Sequence, residues 1–159
     1  MSRATVELHT ASHAEVPDMA ACRLLDPAAG PADARMGAYF RGEHHPQLAL
    51  LPRTGYAAFV GGTMIGYVAG HLSTRQGCGG ELQYLFVAPD SRRQGIATTL
   101  VRHMADWFAE RGVRRVCVCV DADSPAARPF YRSLGAAALS PEKQLWYVWE
   151  DLETTSAPR

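Results

Sequence analysis

The sequence predicts one mixed α/β domain: a central, mostly antiparallel sheet with helices on both faces. Three observations carry this expectation. Short apolar runs of strand period alternate with stretches of helical period, and glycine or proline separates them. The stretch from Gln94 to Arg111 places Ile96, Ala97, Leu100, Val101, Met104 and Phe108 on one helical face, with Arg102, His103, Asp106 and Glu110 on the other. The run Val116-Cys117-Val118-Cys119-Val120 is apolar on both faces, as a central strand must be. A chain of 159 residues suits a single domain with a sizeable core.

Taken in order, residues 4–9 alternate apolar and polar side chains like a half-buried strand. Residues 13–25 carry Val16, Met19, Ala20, Cys22, Leu24 and Leu25 as a helical stripe. Asp26-Pro27 ends it, because a residue before proline is pushed out of the helical region. A second helix is expected over about 31–42, before His45-Pro46. Strands over 56–60 and 64–74 are joined by Gly61-Gly62-Thr63, a hairpin signal. Gly77-Cys78-Gly79-Gly80 is a loop before a strand over 81–88. The helix from Gln94 stops at Gly112. Ser124-Pro125 opens a helix that runs to Leu134 and stops at Gly135, with Ser as cap and Pro in the first turn. Residues 137–140 and 144–150 form a last strand pair, in which Tyr147 is expected to face away from Trp146 and Trp149. The domain is thus expected to span 1–152, with 153–159 a polar, flexible tail.

Sixteen basic residues, all arginine except Lys143, balance sixteen acidic ones. No global field would recruit nucleic acid or an anionic membrane. No apolar run approaches the ~20 residues that span a bilayer, and the first residues lack a signal-peptide core. A cytoplasmic protein with neither nucleic-acid nor membrane partners is expected. Cys117 and Cys119 share one strand face and read as small apolar residues. No metal site is expected, since His44-His45 is the sole candidate pair and adjacent histidines diverge. A structural disulfide is not expected in this compartment.

The most informative stretch is Gln83 to Ala97: the apolar run Tyr84-Leu85-Phe86-Val87, then a turn, then Arg92-Arg93-Gln94-Gly95-Ile96-Ala97 opening a helix. The first N–H groups of a helix have no intrahelical partner, and the dipole places partial positive charge there. A phosphate satisfies both, Gly95 lets it approach the main chain, and Arg92 and Arg93 add charge-assisted bonds. A P-loop or a dinucleotide fingerprint would need residues that are absent. Such a turn can also be no more than a basic helix cap.

The pattern Val87-x-x-x-x-Arg92-x-x-Gly95-x-Ala97 resembles the pyrophosphate loop of the GNAT superfamily of N-acetyltransferases. Downstream, Ser124 to Ala136 resembles that family's second signature, N-x-x-A-x-x-F/L-Y-x-x-x-G-F: Ala127, Phe130, Tyr131 and Gly135 match. Ser124 stands where Asn is common, Ala136 where Phe is common, and Pro129 falls inside the helix, where it removes a donor. The element order also agrees, so the resemblance covers nearly the whole chain. It implies a splay between the fourth and fifth strands and acetyl-CoA as cosubstrate. The cofactor would be held by the main chain of Leu85, Phe86 and Val87, the loop Arg92, Arg93, Gln94, Gly95, Ile96 and Ala97, and Ser124 and Ala127. Homodimers are common among such proteins.

The implied reaction is direct acetyl transfer to a primary amine of a small molecule or peptide. An amine of pKa near ~10 is protonated at pH 7, and freeing its lone pair costs about 4 kcal/mol. Glu81 occupies the position of a general-base glutamate, and partial burial would raise its pKa toward ~6–7; it would act directly or through water, and an exposed strand-end glutamate is the bland alternative. An N–H near Phe86 or Val87 would stabilise the oxyanion. Tyr131 matches the tyrosine that protonates the leaving thiolate; packing at a helix–sheet junction is its alternative. Tyr39, His44, His45 and Arg75 are expected to rim the acceptor cleft. Cys78, on a loop, stays open as a nucleophile. A non-catalytic acyl-CoA-binding regulatory module and a phosphate-binding interaction domain are the competing readings.

Overall fold

The computed structural model describes residues 5–29, 34–120, 127–140 and 145–152. Strands β1 (Val6–Ala11), β2 (Ala49–Val60), β3 (Thr63–Ser73), β4 (Gly80–Val87), β5 (Val116–Cys119), β6 (Ala137–Ala138) and β7 (Trp146–Trp149) form one sheet in the order β1-β2-β3-β4-β5-β7-β6. Its pairings are antiparallel, except β4 with β5. Helices α1 (Val16–Arg23) and α2 (Ala34–Phe40) pack on one face, α3 (Ile96–Glu110) and α4 (Ala127–Ser133) on the other. No described helix is long and apolar enough to cross a membrane.

Local chemistry explains most boundaries. Gly61 and Gly62 both have positive φ, 55° and 81°, the conformation that a two-residue primed hairpin turn demands between Val60 and Thr63. The helical stripe of α3 buries Ile96, Leu100, Val101, Met104 and Phe108 against Val68, Leu82, Val116 and Val118. Each large side chain so buried contributes about 1.5–3 kcal/mol. Gly112, at φ 73°, ends that helix as expected. Pro129 is the third residue of the described part of α4, and the chain continues helically past it to Ser133.

Several expectations are corrected. Strand β2 begins at Ala49, seven residues before the apolar alternation does, because Pro52 is accommodated at a register shift between Leu50 and Arg53. Strand β1 is an edge and mostly exposed, with only Ala11 buried. Helix α3 starts at Ile96 rather than Gln94, since Arg93 and Gly95 take left-handed φ of 63° and 78°. Cys119 is exposed while Cys117 is buried, because β5 ends there. Tyr147 and Trp149 are two residues apart and share the core face under α3, while Trp146 and Val148 lie opposite beside Cys78 and Cys117. Ser124, the start of its helix and the 153–159 tail fall outside the described residues.

Two irregularities in β4 shape the site. Ala69 pairs with Tyr84 but Gly70 pairs with Leu82, so Gln83 is an extra residue in β4. This bulge inverts the side-chain alternation. Leu82 thereby joins Leu85 and Val87 on the α3 face, and Glu81 joins Tyr84 and Phe86 on the α1/α2 face. The second irregularity is a splay. β4 and β5 pair only from Gly80↔Val116 to Leu82↔Val118, and beyond Leu82 β4 has no β5 partner.

Candidate active site

The splay opens toward the loop after β4. Ala88 N donates to Ile65 O at 2.8 Å across β3. Main-chain groups alternate direction along a strand, so Phe86 shares that side and Leu85 and Val87 turn theirs to the unpaired edge. The loop then winds through a short 3-10 turn, Pro89–Ser91, and the left-handed residues Arg93 and Gly95. The first intrahelical bond of α3 is Thr99 N to Gly95 O at 3.0 Å. The N–H groups of Ile96, Ala97 and Thr98 therefore stand at the helix N-terminus ahead of it. A Cβ at Gly95 would meet nothing within 4 Å, so the space beside these amides is open to a ligand.

Arg92 braces this loop rather than reaching out from it. Its Nε donates to Val87 O and its Nη2 to Asp26 Oδ2, both at 2.8 Å. Its guanidinium also lies 5.6 Å from the Phe86 ring, with Arg23 at 5.3 Å from the same ring. The side chain read as a phosphate ligand thus has protein partners, although it is exposed, as are Arg93 and Gln94. Leu85 is half-buried; Phe86 and Val87 are buried.

Glu81 is buried, 3% exposed, in a polar cluster built from four elements. His71 of β3 faces it, Nε2 to Oε1 at 3.4 Å, and Arg75 of the 3-10 turn Arg75–Gly77 approaches Oε2 at 3.9 Å. Tyr39 of α2 meets His71 Nδ1 through its hydroxyl at 2.8 Å. The Arg75 guanidinium stacks 4.5 Å over Trp146 of β7. The bulge at Gln83 makes this cluster possible, because without it Glu81 would point into the α3 core.

Tyr39 was expected on the cleft rim; it is fully buried beneath the site, its ring edge-on to Phe40 and Tyr84. Arg53, which the sequence did not single out, organises the neighbouring loop. It donates to Tyr39 O (3.0 Å), His44 O (2.8 Å) and His45 Nδ1 (2.6 Å), and stacks over the Tyr39 ring. His45 thus spends its Nδ1 on Arg53. His71 was missed as well; the available signal was a histidine in a mostly apolar strand.

Tyr131 lies across the sheet from Glu81, in the α3-side core, edge-on to Phe130 and Trp149. Trp149 Nε1 donates to Leu134 O at 3.1 Å and so ties β7 to the end of α4. Burial pushes the Tyr131 phenol well above its ordinary range, so it stays a proton donor. Ala127 is half-buried in α4. Cys78 is buried and its thiol is raised by burial, which argues against a nucleophile.

A family model described as "Acetyltransferase (GNAT) family" matches residues 20–136. The chain belongs to the GNAT acetyltransferase family. No protein of curated function matches it in sequence. The fold of this GNAT chain is similar to that of the GNAT family N-acetyltransferase YhbS from Escherichia coli in complex with CoA (TM-score 0.70, 20% identity, 98% of this chain and 86% of that one). It is also similar to the ribosomal-protein-S18-alanine N-acetyltransferase from Escherichia coli (TM-score 0.64, 18% identity, 91% of each chain). A tandem GNAT protein from the clavulanic acid biosynthesis pathway aligns with TM-score 0.65 and 19% identity over 83% of this chain, which spans 44% of that protein's length.

Proposed function

We propose that this GNAT chain transfers an acetyl group from acetyl-CoA directly to a primary amine of a small molecule or peptide. One observation carries the reading: the splay beyond Leu82↔Val118 lies between the buried carboxylate of Glu81 and the amides that open α3. A gap with unpaired main chain on one wall suits the amides of pantetheine. The open, Cβ-free N-terminus at Gly95 suits the diphosphate.

In this reading the amine nitrogen attacks the thioester carbonyl and gives its proton to Glu81, directly or through one water, because the carboxylate is 3% exposed. The Leu85 or Val87 N–H stabilises the oxyanion. The carbon–sulfur bond then breaks, and the CoA thiolate takes the Tyr131 proton. A screen of primary amines and N-terminal peptides for release of free CoA thiol tests this. Amine-dependent release that falls sharply in Glu81→Gln is expected; acetyl-CoA binding without amine-dependent release would instead mark a regulatory acyl-CoA-binding module.

A further inference from the structure

His71 has no exposed surface, and a titratable side chain removed from water is costly unless its polar atoms are matched. The Tyr39 hydroxyl lies 2.8 Å from its Nδ1, and Glu81 Oε1 lies 3.4 Å from its Nε2. Neither Nε2 nor Oε1 has a closer hydrogen-bond partner among the described residues, so each is left to the other. A carboxylate only accepts, so in the neutral ring Nε2 carries the hydrogen toward Glu81 and Nδ1 accepts from Tyr39. Burial raises the Tyr39 phenol far above its ordinary range and keeps that hydroxyl a donor. The other groups around the pair are Arg75 near Oε2, Arg53 over the Tyr39 ring, Tyr84 edge-on to Tyr39, Cys117 paired with Glu81 on β5, and Cys78 beside Cys117.

We propose that His71 is a positioning residue for the base: its Nε2–H, set by the Tyr39 hydroxyl on Nδ1, holds Glu81 Oε1 so that Oε2 is turned to the acceptor amine. This rests on the assignment of Glu81 as base. The 3.4 Å separation is long for a hydrogen bond, and catalytic contacts that are long in an unliganded site commonly tighten when substrates bind. No proton leaves the Tyr39–His71 pair during turnover; His71 fixes the orientation of the carboxylate.

The test uses the full chain, with the amine turned over fastest in the panel. His71→Leu should lower kcat/KM about 10- to 100-fold, the worth of one hydrogen bond to a charged group. It should also move the acidic limb of the pH–rate profile up by about one pH unit, because a carboxylate that loses a donor is harder to ionise. Acetyl-CoA affinity by calorimetry should be unchanged. His71→Gln, which keeps an N–H donor, should recover part of the rate, and His71→Leu should cost nothing further in a Glu81→Gln background. An unmoved limb, or an equal loss in both backgrounds, overturns the proposal while leaving Glu81 as base. Full activity of Glu81→Gln removes the base itself. Nitrogen NMR of histidine-labelled protein needs no acceptor: the His71 hydrogen is expected on Nε2, and to redistribute to Nδ1 in Tyr39→Phe. Hydrogen on Nδ1 in the unmodified protein overturns the proposal.

Discussion

Phe108 of α3 presses its ring onto the main chain of Gly80, the residue before Glu81: a β-carbon there would lie 2.8 Å from Cδ1 and 2.9 Å from Cζ. The core helix thus sets the height at which β4 delivers its carboxylate. Gly70, opposite on β3, is hemmed in the same way: a β-carbon there would lie 2.7 Å from both Met104 Cε and the Glu81 carbonyl oxygen.

Gly80→Ala is therefore expected to destabilise the protein by about 1–3 kcal/mol, the usual cost of forcing a methyl into a packed core, because fully buried Phe108 has nowhere to retreat. Urea denaturation measures this. Turnover should fall as well, since the shift propagates to Glu81; an unchanged midpoint would mean the ring can move aside.

Gly95 is different, because its constraint is φ (78°) and not space. Gly95→Ala should cost roughly 1 kcal/mol, or about 2–4 °C in Tm, and weaken acetyl-CoA binding tenfold or more by calorimetry. Gly95→Asn tolerates the left-handed conformation better, so its stability loss should be smaller while the added side chain still crowds the phosphate. Unchanged affinity in both variants would remove the loop from cofactor binding.

The Arg92–Asp26 pair gives a pH signature. The hydrogen bond from Arg92 first, then the Ala28 N–H, hold the Asp26 carboxyl below its ordinary range. A depressed carboxylate stabilises the fold above its unfolded pKa of ~3.9, and that contribution disappears as pH falls through the lower folded value. Asp26→Asn should therefore melt below the unmodified protein at pH 6–7, with the gap closing below about pH 4. A gap independent of pH would show that the carboxylate's charge is not what matters.

Tyr131→Phe should lower turnover about 100-fold, the lower end of what a positioned acid supplies, and leave acetyl-CoA affinity nearly intact. Packing against Trp149 survives, because the ring is kept. Full activity in steady-state kinetics would reassign the proton donor and leave Tyr131 a core aromatic.

Features set by short-range chemistry were legible from the chain alone. The stripe of α3, the paired glycines of the β2–β3 turn, the stop at Gly112 and the glycine-bearing basic loop each follow from a period or a required φ within a few residues. Glu81 and Tyr131 were readable as candidates for the same reason, through motif spacing. What could not be read is which face a side chain takes once a strand carries an irregularity. One extra residue at Gln83 turns Glu81 away from the α3 core toward His71 and Tyr39, and no local pattern marks it.

By itself, then, the sequence determined the order of elements, the family signatures and the basic, glycine-bearing loop before α3, because these are written in neighbouring residues. Only the tertiary structure decided that Arg92 braces the loop against Asp26, that Tyr39 lies beneath the cleft and not on its rim, and that His71 backs Glu81. Those relationships join residues from separate strands, helices and turns. Their register is set by the packing of the whole sheet, which the chemistry of adjacent residues does not specify.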